Sequence, residues 1–306
     1  MRITTPVFAA AFALVLVPST ASAAPKCRGQ IATIVGTPGD NTLTGTNGRD
    51  VIVGGGGNDT INAKGGRDLA CGGGGSDIID GGGRADRVYG GPGFFDVVAG
   101  GSGDDLIHGG GGMFDVADLR NALGNVRANL QTGNATGHGT DRLVGIESVY
   151  SGRGDDLLLG TNGLNDFYGG DGDDEIRSGN GHDFIIPGLG DDMVVAGGAF
   201  DFVDFFCAAE PPDGTIMGCT PAYASPIQVN LTAGTATGQG TDTLNSVEGI
   251  GAGDGNDTII GTSGDNELLG FGGNDTITGD GGNDFIGPGL GDDTVDGGAN
   301  APVGFT

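Results

Sequence analysis

From about position 36 this chain repeats one nine-residue phrase: glycine, glycine, any residue, glycine, any residue, aspartate, any residue, aliphatic, any residue. Gly54-Gly55-Gly56-Gly57-Asn58-Asp59-Thr60-Ile61-Asn62 is one copy and Gly72-Gly73-Gly74-Gly75-Ser76-Asp77-Ile78-Ile79-Asp80 is another. So short and strict a period requires stacked units, because one copy cannot bury its aliphatic residue alone. Glycine supplies 69 of the 306 residues, which by composition would also suit collagen or a disordered tract. Collagen needs glycine at every third position. Disorder leaves the fixed aliphatic position unexplained.

The sixth slot of the phrase carries Asn41, Asp50, Asp59, Asp68, Asp77 and Asp86 at a constant spacing. After a one-residue slip near Phe94-Phe95-Asp96 the series continues through Asp105 to about Asp115. A second block holds Asp156, Asn165, Asp174, Asp183, Asp192 and Asp201, and a third holds Asp257, Asn266, Asp275, Asp284 and Asp293. Two residues after each comes the eighth slot, as in Leu43, Ile52, Ile61, Ile79, Leu158, Ile176, Ile259 and Ile277. A strand alternates its faces, so the last three residues of each copy bury their middle member. The preceding residues must turn the chain tightly, and glycine reaches positive φ without steric cost. Two copies then form one coil of about eighteen residues with a strand on each side. The expected fold is all-β, a parallel β-roll solenoid in three blocks of nonapeptide repeats with two β-rich inserts.

The expected boundaries are a signal peptide over 1–23, an N-terminal cap over 24–35 and roll blocks over 36–115, 151–201 and 252–298. Inserts fill 116–150 and 202–251, and a tail covers 299–306. A longer repeat overlies the short one. Val126-Arg127-Ala128-Asn129-Leu130 matches Ile227-Gln228-Val229-Asn230-Leu231 at an offset of 101, and Gly137-His138-Gly139-Thr140-Asp141 matches Gly238-Gln239-Gly240-Thr241-Asp242. The C-terminal two-thirds is thus a duplicated cassette of insert and roll. Strands are expected over Val126–Leu130, Leu143–Val149, Ile227–Leu231 and Leu244–Ile250, as hairpin-like inserts packed on the roll.

Arg2, the apolar run Val7–Val17 and Ala21-Ser22-Ala23 have the order of a secretory signal, with cleavage expected after Ala23. No other apolar stretch approaches membrane length. Four cysteines in an exported chain favour disulfides. Cys207 and Cys219 are close in sequence and are expected to pair, leaving Cys27 for Cys71. Acidic residues outnumber basic ones by 40 to 13. Such a chain repels nucleic acid and anionic membranes, and its natural partners are cations.

Stacking sets each sixth-slot carboxylate opposite the one eighteen residues later, roughly 4.8 Å away. Bare carboxylates at that distance repel by about 3 kcal/mol even at an effective dielectric of about 20. A hard divalent cation with oxygen ligands relieves this, and calcium tolerates irregular geometry better than magnesium. Zinc would want nitrogen or sulfur, which the roll scarcely offers. The expected ligands are Asp50, Asp59, Asp68, Asp77, Asp86, Asp105, Asp156, Asp174, Asp183, Asp192, Asp257, Asp275, Asp284 and Asp293, with about a dozen calcium ions in all. The neutral Asn41, Asn165 and Asn266 are expected to be weaker sites, and sites beside the slip at Phe94-Phe95-Asp96 are in doubt.

The phrase resembles the RTX, or haemolysin-type, calcium-binding nonapeptide over nearly everything from Gly36 to Gly298. The resemblance implies a parallel β-roll with calcium between its turns. The stretch Val229-Asn230-Leu231-Thr232-Ala233-Gly234-Thr235-Ala236-Thr237-Gly238 is similar to the spacer found between RTX blocks. Many RTX proteins carry an uncleaved C-terminal export signal, whereas this sequence has features of an N-terminal one.

No His-Glu-x-x-His zinc helix or Gly-x-Ser-x-Gly elbow is present, and His108, His138 and His182 are isolated, so no enzyme is expected. Matches to Gly-x-Gly-x-x-Gly are by-products of the repeat with no helix after them. Two function classes remain. One is a secreted calcium-binding roll. The other is an adhesin-like, calcium-stiffened module whose inserts bind a protein partner or a surface glycan, with Phe200, Phe202, Phe205 and Phe206 as a candidate patch.

Overall fold

The computed structural model describes residues 24–206 and 225–298. The expected signal peptide, Cys207, Cys219 and the tail lie outside them. Every regular element among the described residues is a strand, and through the repeat blocks the strands alternate between two sheets. The first is 12-stranded, running from Thr42–Thr44 to Phe285–Gly287 with every neighbour parallel. The second runs from Ile34–Val35 to Thr294–Asp296. Register follows the coil, with Ile61 beside Ile79 and Ile176 beside Val194. The eighth-slot residues form one continuous core, in which Ile52, Ile107, Leu158, Ile185, Ile259 and Ile277 are fully buried.

The slip costs the fold little. Gly90–Ala99 and Gly109–Asp118 are both ten residues long, and each places its extra residue in the turn. Val97 therefore still faces Ile78 on one side and Val116 on the other. Phe94 and Phe114, in the two enlarged turns, pack edge to face with centroids 5.6 Å apart.

The described strands of the inserts are not packed on the roll; they run through it. Thr140–Val144 pairs parallel with Leu106–Gly110, and Arg127–Asn129 pairs parallel with Leu157–Leu159. Between them lies Asn134–Thr136, antiparallel to both neighbours. The second insert repeats this with Thr241–Asn245, Thr235–Thr237 and Gln228–Asn230. The single strand expected over Leu143–Val149 is in fact two, Thr140–Val144 and Ser148–Arg153. Leu143 and Val149 both enter the core from opposite sheets, so Gly145-Ile146-Glu147 has to turn the chain between them. Leu244–Ile250 divides in the same way.

A short hairpin, Lys26–Cys27 with Gln30–Ile31, covers the start of the second sheet. A disulfide joins Cys27 to Cys71 with their Cα atoms 5.7 Å apart. Cys27 is fully buried in a small cluster with Val51, Leu69 and Tyr89, separate from the main core. Where the roll meets the second insert, Phe205 is buried, and Phe202 stacks on Phe184 of the preceding coil at 5.8 Å.

Candidate cation ladders

The coil brings the sixth-slot residues into two rows, one leading into each sheet. Within a row the backbone N–H of each residue donates to one carboxylate oxygen of the residue a coil further on. Asp50 donates to Asp68 Oδ1 at 2.7 Å, Asp59 to Asp77 Oδ1 at 2.8 Å and Asp174 to Asp192 Oδ1 at 2.8 Å. The rows pass the slip intact, with Asp77 donating to Asp96 at 2.8 Å and Asp96 to Asp115 at 3.0 Å.

This bond fixes Oδ1 and leaves Oδ2. In fifteen aspartates Oδ2 is buried without a hydrogen-bond partner: Asp59, Asp68, Asp77, Asp86, Asp96, Asp105, Asp115, Asp156, Asp174, Asp183, Asp192, Asp201, Asp257, Asp275 and Asp284. Ser151 and Ser178 stand beside two of them, but their hydroxyls donate to the carbonyls of Gly169 at 2.8 Å and Ala196 at 2.7 Å. Asp96, Asp115 and Asp201 join the set although sequence did not select them. Asp50 and Asp293 fall outside it; Asp293 lies on the last coil, where it is half-buried.

Nine of these fifteen turns open on glycine, whose missing Cβ leaves room for the oxygen; the other six open on Ala63, Ser151, Ser178, Pro187, Ala196 and Ala252. A Cβ on Gly100 would stand 2.6 Å from Asp105 Oδ2. On Gly54 it would collide with both Asp59 Oδ2 and the carbonyl of Gly72 from the next coil. In these glycine-first turns carboxylate and carbonyl oxygens, all acceptors, therefore converge on one small volume. Burial, helped by the facing carboxylates, raises Asp77 and Asp257 to about 6, Asp86, Asp96 and Asp192 to about 7, and Asp174 to about 8. Among the described residues no three His, Cys, Asp or Glu side chains surround one point. An ion here would thus take carboxylates from successive coils and draw its other ligands from backbone carbonyls. That all-oxygen set suits a hard divalent cation such as calcium.

Four turns differ, and all begin Gly-Thr: Gly36-Thr37, Gly45-Thr46, Gly160-Thr161 and Gly261-Thr262. In the turns with a buried, unpartnered Oδ2 the second slot has positive φ, as at Gly55 (121°), Gly73 (119°) and Gly82 (92°). Even Lys64 (71°), Phe271 (67°) and Asp280 (71°) adopt it there, at a cost of about 1 kcal/mol or more each. A β-branched threonine resists this conformation, and none of the four threonines has it. In their turns the threonine N–H instead donates to the sixth-slot side chain: Thr46 to Asp50 at 2.7 Å, Thr161 to Asn165 at 2.7 Å, Thr262 to Asn266 at 2.7 Å, and Thr37 to Asn41. The hydroxyls of Thr46, Thr161 and Thr262 add a second bond. The amides of Asn165 and Asn266 donate onward to the carbonyls of Glu147 at 2.9 Å and Glu248 at 3.1 Å. These turns satisfy themselves.

Two acidic residues in each insert also join the rows, and sequence reasoning missed them. Asp105 donates to Asp141 Oδ1 at 2.9 Å and Asp192 to Asp242 Oδ1 at 3.0 Å. Asp115 donates to Glu147 Oε2 at 3.1 Å and Asp201 to Glu248 Oε2 at 3.0 Å. The signal for the aspartates was present. Thr136-Gly137-His138-Gly139-Thr140-Asp141-Arg142-Leu143-Val144 keeps glycine at slots two and four, aspartate at six and leucine at eight. Only the first glycine is missing. The glutamates had no such signal, because they follow turns three residues shorter than the repeat.

The RTX calcium-binding nonapeptide repeat family matches residues 35–70, 72–93, 93–112, 143–176, 150–185, 159–194, 168–203 and 251–286, more than half of the chain. That is a repeat family and not an enzyme family. No individual curated protein matches the chain. With the matched repeats coiled into a parallel β-solenoid and their aspartates aligned along its two edges, the chain belongs to the RTX calcium-binding nonapeptide repeat family.

Proposed function

We propose that this chain is a secreted calcium-binding roll that folds around about a dozen calcium ions held between successive coils. The observation that carries this reading is the series of fifteen buried Oδ2 atoms, among the described residues, that have no hydrogen-bond partner. One unpaired buried carboxylate costs several kcal/mol. Fifteen aligned in rows are tolerable only with compensation from cations or protons, and at neutral pH a divalent ion is the stronger of the two. The core is only two rows of side chains thick, so apolar burial does little against the ordering entropy of so many glycines. Cation binding would then be folding free energy. Secretion is supported by Arg2, the apolar run Val7–Val17 and the small residues Ala21-Ser22-Ala23.

The test is circular dichroism and size exclusion on the full chain, with calcium and with excess chelator. The expected result is a compact β-rich form with calcium and an expanded, largely coil form without it. An equally compact β-rich chain in chelator would overturn the reading.

A further inference from the structure

The family match stops at residue 112 and resumes at 143, and it stops again at 203 and resumes at 251. Asp115, Asp141, Asp242 and Glu248 all lie in these gaps. Four aspartates of the roll border the inserts: Asp105, Asp115, Asp192 and Asp201. Their relative exposures are 4%, 0%, 2% and 0%, and in each Oδ2 has no hydrogen-bond partner. They are as fully orphaned as any aspartate inside a block. The residue opposite each is not one coil away in sequence; it is 36, 32, 50 and 47 residues on.

We propose that the two inserts complete four sites for a hard divalent cation, calcium being the expected one, with Asp141 and Glu147 supplying the opposing carboxylates in the first and Asp242 and Glu248 in the second. The inference rests on the calcium reading of the repeats and extends it to residues that are not sixth-slot aspartates of the three blocks; Asp141, Asp242 and Glu248 lie outside the family match and Glu147 just inside its resumption at 143.

The Asp141 and Asp242 steps copy the repeat closely. A Cβ on Gly139 would collide with the carbonyl of Gly103, and one on Gly240 with that of Gly190. Gly75 meets Gly57 in the same way inside a block. The neighbouring Thr140 and Thr241 donate their N–H groups to Asp104 and Asp191 at 2.9 and 2.8 Å. Asp173 is held likewise on Asp155 in the roll. Each insert thus docks a true turn onto the preceding coil.

The glutamate steps solve a different problem. From Leu143 to Val149 the chain crosses between sheets in six residues, where the repeat takes nine. The shortened turn supplies a glutamate, one methylene longer than aspartate, and its Oε2 takes the Asp115 N–H that an aspartate Oδ1 takes elsewhere. The carbonyl of Gly145 comes with it. A Cβ on Gly109 would meet both that carbonyl and Asp115 Oδ2, the latter at 2.7 Å. Gly145 therefore stands to Asp115 as Gly72 stands to Asp59. Burial and Arg28 both disfavour the charged form of the nearby His108, against the pull of Asp115. The second insert repeats the arrangement through Asp201 and Glu248, with Val195 at the position of His108 and His182 near Asp201.

The experiment counts calcium per full-length chain by equilibrium dialysis, in the unaltered protein and in the Asp141→Asn/Glu147→Gln/Asp242→Asn/Glu248→Gln variant. These changes keep an acceptor oxygen for each ladder bond and remove only charge. The variant is expected to bind about four fewer ions, and equal counts would overturn the proposal. Should the variant fail to reach the native circular dichroism in calcium, crystals of the unaltered chain grown in calcium decide by anomalous scattering. A peak between Asp115 and Glu147, beside those between Asp59 and Asp77, supports the proposal. Peaks in the repeats with none at Asp115 overturn it. An unaltered chain that binds no calcium at all defeats the underlying calcium reading as well, and so is told apart from failure of the insert sites alone.

Discussion

The glycine turns and the threonine turns of this solenoid solve one problem in opposite ways. Both must end a short strand, reverse the chain and place a side-chain oxygen in the sixth slot under the next coil. The glycine turn takes positive φ at its second residue, and Oδ2 of its aspartate is buried against other acceptors. The threonine turn keeps φ negative and satisfies the oxygen with its own N–H, mostly reinforced by its hydroxyl. The first kind leaves a buried carboxylate oxygen unpartnered. The second is complete as it stands, and an uncharged asparagine serves in three of its four copies. Their placement matters too. Threonine turns open the first block at Thr37 and Thr46, and in the two later blocks they follow each insert at Thr161 and Thr262. A turn whose sixth-slot side chain is already hydrogen-bonded by its own threonine thus stands near the start of every block.

The sharpest way to break this comparison is to make one conservative change in both kinds of turn. Asp77→Asn keeps an acceptor for the Asp59 N–H but removes a charge from two successive steps. The calcium midpoint for folding, followed by circular dichroism, is expected to rise by about tenfold, equivalent to about 1.4 kcal/mol. Asp50→Asn gives the Thr46 turn the residue that the other three threonine turns already carry. Its midpoint is expected to stay within about twofold of the unaltered chain. Equal shifts in the two variants would show that the turns do not differ.

A smaller effect, spread over the glycine turns, should come from pH. Asp77, Asp86 and Asp174 are raised from 3.8 to about 6, 7 and 8 by burial and by the carboxylates facing them. The calcium-free fold therefore binds more protons than the unfolded chain between about pH 4 and pH 8. Its stability is greatest at the acid end of that window and is lost as pH rises through these values. Calcium binding runs the other way, since the ion must displace those protons. In chelator, β-structure is expected to increase from pH 7.5 to pH 5, while the calcium midpoint of the untreated chain moves upward over the same range. Hydrogen exchange resolved by segment would place the acid-induced protection in the glycine turns. Uniform protection, or none, would contradict the assignment.

Most of the fold was legible because the repeat writes its own geometry. Ile61 and Ile79 could be stacked from their spacing alone, and Asp59 with Asp77 followed at once. The inserts were less legible. Leu143–Val149 looked like one alternating strand because a strand and a tight crossover both separate buried residues by an even number of positions. Only the pairing of Thr140–Val144 and Ser148–Arg153 with different sheets tells them apart. The threonine turns were visible as Gly-Thr but carried no meaning until φ was known. Sequence shows which residue fills a slot, whereas the direction of its N–H depends on backbone torsion. Glu147 was hidden for a third reason: its turn departs from the period that made the other acids recognisable.

The finest separation of the two kinds of turn comes from Thr161→Val. Valine keeps the β-branched shape and the negative φ, so the N–H bond from residue 161 to Asn165 Oδ1, 2.7 Å in the native chain, should persist. What is lost is the hydroxyl, which donates to Asn165 Oδ1 at 3.2 Å and accepts the N–H of Gly163 at 3.0 Å. The Gly163 bond is exposed, so water replaces it and the net cost is expected to be about 0.5–1 kcal/mol. Denaturant unfolding in saturating calcium would show that loss, and the number of ions bound should not change. If the variant lost an ion, the threonine hydroxyl would have to be a cation ligand, and the Gly-Thr turn would be a variant calcium site instead of a substitute for one.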